Sequence, residues 1–108
     1  MSESLACTCK IISAMDRISD VRSYIDDFVQ EPPETLPIID KRIVEDRTKN
    51  ALRALDEAAQ TCNLNLEDVK AKVNLTNLTF RNQKWFVAFD HIIDAKAKLA
   101  TKVCATGL

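Results

Sequence analysis

Four cysteines and a single histidine are the residues of this 108-residue chain with the widest chemical range. Cys7, Cys9, Cys62 and Cys104 could hold zinc only if their thiolates converged to about 2.3 Å from one ion. Helical phasing argues against that convergence. Cys7 lies four residues before Ile11 and seven before Ala14, on the apolar stripe of a first helix, and Cys62 lies seven after Leu55 on the stripe of a second. Antiparallel helices bring those two positions to the same end. Cys9 falls opposite the stripe, and Cys104, beside Thr101, is expected at the far end of a bundle that runs up, down and up. With no secretory leader recognisable, all four are expected to be free thiols, Cys7 and Cys62 as small buried hydrophobes. No metal is expected.

His91 leaves at most one imidazole for acid–base work. It stands on the flank of the last helix, in line with Lys84 and Lys98. Paired with Met15 it would resemble the axial ligands of haem, but the chain has no Cys-x-x-Cys-His, so no cofactor is expected. Carboxylates are the remaining catalytic resource. An all-α nucleotide hydrolase stacks Glu-Glu-x-x-Glu and a later Glu-x-x-Asp to hold magnesium against phosphates. Here the second helix offers Asp56-Glu57 and Glu45-Asp46, a separation that does not gather carboxylates at one point. A nucleophile, base and stabiliser cannot be assembled from these residues, and the chain is expected not to be an enzyme.

Arg81, Lys84, Lys96, Lys98 and Lys102 could contact phosphates. They are spread around the apolar stripe, and Trp85, Phe86 and Phe89 lie where a core wants aromatic residues. Fifteen Lys and Arg oppose sixteen Asp and Glu, a formal net charge of −1 that favours neither nucleic acid nor an anionic membrane. The first 35 residues hold seven acids and three bases, and residues 81–108 hold five bases and two acids, so the chain ends can attract each other. Nucleic acid is therefore not the expected partner.

The elements that must position these groups follow from one number: the chain has a single Gly, at position 107. Sandwiches, barrels and dinucleotide folds need many turns at dihedrals that Gly or Asn supply, so the composition predicts an all-α domain with short connections. Ile11, Ala14, Ile18, Val21, Ile25 and Phe28 recur at alternating spacings of three and four, predicting a helix over about 4–30. Glu31-Pro32-Pro33-Glu34 ends it. Thr35 is a candidate cap, and Val44, Ala51, Leu55, Ala58 and Cys62 mark a second helix over about 36–62 with an alanine-rich face. Asn65 and Asp68 suggest a capping box for a short linker helix over about 66–73. The Asn and Thr cluster at 74–77 predicts a break, and Leu78, Trp85, Ile92 and Leu99, each seven after the last, predict a final helix over about 78–105. The expected architecture is an antiparallel bundle of three long helices plus one short linker helix, in one domain spanning 1–108. The alternative is one unbroken helix over about 66–105.

No segment approaches the 18 or so consecutive apolar residues of a membrane helix, and a cytoplasmic location is expected. Asn74-Leu75-Thr76 and Asn77-Leu78-Thr79 match the glycosylation acceptor pattern and are expected to go unread there. The functional expectation is a non-enzymatic protein-interaction module, a homo-oligomeric regulator or adaptor. Phe86, Ile93 and Ala100 form a second apolar row beside Trp85, Ile92 and Leu99, so Trp85, Phe86, Phe89, Ile93 and Ala100 are the candidate partner-binding residues and a homodimer is the expected assembly. A ligand or nucleic-acid binder using the basic last helix is the second reading.

Overall fold

The computed structural model describes the backbone of residues 2–105 and the side chains of residues 5–105. It contains α1 (Ser2–Gln30), α2 (Ile38–Cys62), α3 (Glu67–Arg81) and α4 (Trp85–Ala105). α1 packs on α2, α2 on α3, α3 on α4, and α4 on α1, closing a ring of antiparallel neighbours 51 Å long and about 20 Å across. The expected all-α antiparallel bundle is what forms, with four helices sharing the core.

Each helix contributes one stripe. Ile11, Ala14, Ile18, Val21 and Ile25 of α1 meet Val44, Ala51, Leu55 and Ala58 of α2, Val69, Val73, Thr76 and Phe80 of α3, and Ala88, Ile92, Ala95 and Leu99 of α4. The alternating three and four spacing keeps every stripe on one side of its helix, and burial of each large side chain contributes roughly 1.5–3 kcal/mol. Leu66 and Leu36, just outside the helices, are also buried.

Two helix boundaries differ from expectation. Pro37, in extended geometry, and not Thr35, precedes α2, and no side chain caps that start. The break expected at 74–77 lies instead at 82–84. Thr76, in the expected break, and Thr79, just beyond it, return their hydroxyl protons to the carbonyls of Lys72 and Leu75, and both lie within α3. The stripe Val69, Val73, Thr76, Phe80 runs straight through the cluster and its burial outweighs the weak local preference.

The real break is a backbone motif. Gln83 takes a left-handed conformation at φ 63°, its N–H reaches Phe80 O at 3.0 Å, and the N–H of Lys84 reaches Thr79 O at 2.9 Å. Those two bonds close the end of α3 as a Schellman turn, and Asn63, left-handed at φ 55°, ends α2 in the same way with Leu64 N–H on Ala59 O. Aromatic residues lock the α3–α4 reversal. Phe28, Phe80 and Trp85 stand with ring centroids 5.0–5.3 Å apart, Phe80 edge-on to both neighbours. Such pairs add about 0.5–1.5 kcal/mol each beyond the area they bury.

The extra reversal changes the direction of the last helix. α4 runs opposite to α1, as Phe28 beside Trp85, Arg22 over Phe89 and Lys96 on Ser19 show in succession. Its C-terminal end therefore lies beside the start of α1, and Cys104 is at the end that carries Cys7 and Cys62, not at the far end. Phe80→Ala should cost about 3–5 kcal/mol in urea unfolding, whereas Phe86→Ala, at an exposed position, should change stability by no more than about 0.5 kcal/mol. A small effect at Phe80 would mean that the aromatic lock does not hold the reversal.

Candidate functional site

The residue types with chemical potential resolve into three places: the cysteine end, the α1–α2 groove and the outer side of α4. At the cysteine end Cys7 and Cys62 are joined in a disulfide that spans 55 residues and ties the start of α1 to the last turn of α2. Helical phasing placed the two side by side, but the expectation that they are free thiols is corrected. Side-by-side packing at 5.0 Å between Cα atoms is what a disulfide requires, so the same argument that buried them also allows them to bond. Cys9 and Cys104 are free and exposed. Among the described residues no three His, Cys, Asp or Glu side chains are grouped to hold a metal ion.

The α1–α2 groove contains a cavity of about 270 Å³ lined by Arg17, Asp20, Arg47 and Asn50. Its arginines are already committed. Arg47 donates to the backbone oxygen of Asp20 at 3.0 Å and lies over the Tyr24 ring at 5.0 Å, while Arg17 pairs with the Asp20 carboxylate at 3.8 Å. Beside them the Tyr24 hydroxyl donates to the Asp40 carboxylate, fastening α1 to the first turn of α2. Burial, then the hydrogen bond and charge of Asp40, push the Tyr24 phenol up to about 12. The groove is a braced helix interface whose polar groups answer each other.

α4 carries the apolar row. Phe86, Ile93 and Ala100 are seven residues apart, each one position after Trp85, Ile92 and Leu99, and one position rotates a side chain by about 100° away from the core seam. The consequence is graded exposure: Phe86 is 62% exposed and Ile93 39%, and Ala100 is half-buried. Trp85, also a candidate contact, is 7% exposed and belongs to the core. Phe89 is half-buried against the core with the Arg22 guanidinium 5.8 Å from its ring centre. α3 and the residue before it cover the rest of the arc, because Leu66, Val69 and Val73 are core residues that close the bundle from within. Sequence reasoning missed the exposed Val87 of α4 and Leu75 of α3, and Leu78, expected on the apolar stripe of the last helix, lies instead on α3 and is 54% exposed. Their exposure follows from the position of the 82–84 turn, and the heptad count alone carries no signal for it.

Two of the three lysines of α4 are engaged within the bundle, and Lys98 is half-buried on its flank. Lys102 pairs with Asp68 of α3 at 3.3 Å, Asp94 receives Lys72 of α3 at 3.2 Å, and Lys96 donates to the Ser19 hydroxyl of α1 at 3.0 Å. These links to α3 and to a hydroxyl replace the expected attraction between a basic last helix and an acidic first one. Arg81 and Lys84 remain exposed at the turn, and His91 is half-buried on the α4 flank. In comparisons with known proteins, no family model, no curated protein and no solved structure matches the chain at a significant level.

Iodoacetamide should modify Cys9 and Cys104 in the folded protein and reach Cys7 and Cys62 only after reduction. Reduction should lower stability by about 4 kcal/mol, the loop-closure entropy of a cross-link of this span. Labelling of all four thiols without reductant would show that the bond is absent. Tyr24, the single tyrosine, allows a second test by phenolate absorbance. The folded protein holds its proton to about pH 12 while the unfolded chain releases it near the ordinary 10. The stabilisation is therefore complete below pH 10 and lost as pH rises towards 12. Asp40→Asn should move the folded midpoint down towards 10, and an unchanged midpoint would remove Asp40 from the account.

Proposed function

We propose that the chain is a non-enzymatic helical interaction module that docks a second copy of itself along the outer face of α4. The observation that carries this reading is the row Phe86, Ile93 and Ala100, whose two large members are exposed although the four-helix core is already closed. An exposed phenylalanine adds nothing to a finished core. Covering it removes apolar surface from water at roughly 25 cal/mol per Å². α4, with 21 residues, runs about 31 Å along a bundle about 20 Å across, so a dimer on this face draws in flanking surface of its neighbouring helices to reach the approximately 800 Å² per partner of a stable interface. A two-fold axis would make one row a self-complementary interface.

The residues that would carry the contact are Phe86, Ile93 and Ala100, with Phe89 supporting them from the core side. Trp85 would act only by holding the start of α4 in place. A phosphate or nucleic-acid ligand on the basic last helix has less support, since Lys96 and Lys102 are engaged within the bundle. No helix among the described residues is long and apolar enough to cross a membrane. A cytoplasmic location was expected together with free thiols; the Cys7–Cys62 bond overturns the thiol expectation and favours an oxidising compartment.

Light scattering after gel filtration at high micromolar concentration should give twice the mass of the chain. Phe86→Glu should reduce it to that of a monomer while leaving helical circular dichroism intact. A wild-type monomer under those conditions, or a dimer indifferent to Phe86→Glu, would sink the reading.

A further inference from the structure

We infer that Asn74 is an N-glycosylation site, taken by the chain when it folds in an oxidising compartment. Two independent observations meet there. Asn74-Leu75-Thr76 has the Asn-x-Thr pattern that the transferase requires, with Leu at the middle position, where Pro would be excluded. The Cys7–Cys62 disulfide favours an oxidising compartment, where that enzyme works, and weighs against the location in which the pattern was expected to go unread.

The fold then distinguishes Asn74 from Asn77, which begins a second match, Asn77-Leu78-Thr79. Lys70 reaches Asp56 of α2, so Asn74 and Asn77, four and seven residues after it, lie on the α2 flank of α3. On that flank Asn74 is exposed and free to carry a bulky polar group. Asn77 is half-buried, and its Oδ1 is shielded from solvent with no hydrogen-bond partner. A glycan on Asn77 would have to draw that amide out of the bundle and would keep the chain from completing its fold, whereas one on Asn74 extends into water, so the choice is made by which modified chain folds and the folded, secreted protein carries the glycan on Asn74. Thr76 is fully buried in the finished fold, so transfer must precede the completion of α3, on the extended chain. Its hydroxyl afterwards returns to Lys72 O at 2.8 Å.

In the transfer the Asn74 side-chain nitrogen bonds to the anomeric carbon of an oligosaccharide carried on a lipid diphosphate. The bond from that carbon to the diphosphate oxygen breaks, the lipid diphosphate leaves with the electron pair, and the nitrogen gives up one proton. The glycan would stand on the α2 side of α3 and leave the outer face of α4 open.

The full chain, directed through the secretory pathway of a eukaryotic cell by a removable leader, supplies the test. Peptide mapping after treatment with the glycan-releasing amidase in heavy-oxygen water should show Asn74 converted to labelled Asp and Asn77 unchanged. Asn74→Gln should abolish the amidase-sensitive mass while keeping helicity and the Cys7–Cys62 bond, and Asn77→Gln should retain that mass. A secreted, folded protein with neither asparagine modified would overturn the inference, as would a glycan found on Asn77 alone.

Discussion

The contact on which the rest of the bundle depends is the interlock of Phe28, Phe80 and Trp85 around the 82–84 turn. Phe80 is the last core residue of α3 and Trp85 the first residue of α4, so packing both rings on Phe28 of α1 forces the chain to reverse between them. The left-handed Gln83 makes the reversal tight enough for the rings to meet. A residue with a side chain resists that conformation by roughly 1–2 kcal/mol, and three ring contacts are sufficient to offset it. Without the reversal residues 67–105 would continue as one rod too long for α1 and α2 to cover.

Once the reversal is fixed, the direction of α4 is fixed with it. α4 descends beside α1, so its C-terminal end arrives next to the disulfide, Lys102 finds the Asp68 carboxylate of α3, and Lys96 finds an α1 hydroxyl. Surface pairs of this kind contribute about 0–1 kcal/mol each, too little to choose the topology. They follow the hydrophobic ring and do not create it. The same descent decides which part of α4 is left over: α1 and α3 take the seam of Ala88, Ile92, Ala95 and Leu99, and Phe86 and Ile93 remain outside.

The ends of the molecule are fastened by different chemistry. At the proline-loop end Tyr24 on Asp40 and Arg47 on Tyr24 form a hydrogen-bonded and cation–π brace. At the other end a covalent bond does the equivalent task between α1 and α2. The α1–α2 pair is thus held at both ends, whereas α3 and α4 rely on the shared core and the aromatic turn. That asymmetry matters for a chain of this size, where a single core leaves only a modest margin of stability.

The sequence by itself determined the helical class, because one glycine cannot supply the turns of a β fold, and it determined the stripes of α1 and α2, because their spacing has the helical period over more than five turns. It also placed Cys7 and Cys62 together and set Phe86 and Ile93 beside the core row. Only the tertiary structure decided where α3 ends, since Gln has no preference that announces a left-handed residue, and the Asn and Thr cluster that does carry a breaking tendency is overridden by burial of Val73, Thr76 and Phe80. Cysteine pairing was likewise beyond the sequence: phasing gives the face a thiol occupies, but a bond across 55 residues depends on the distance between two packed helices. Local period is a property of neighbouring residues and can be read along the chain; helix direction, pairing and residual exposure are properties of the closed ring and exist only once all four helices have met.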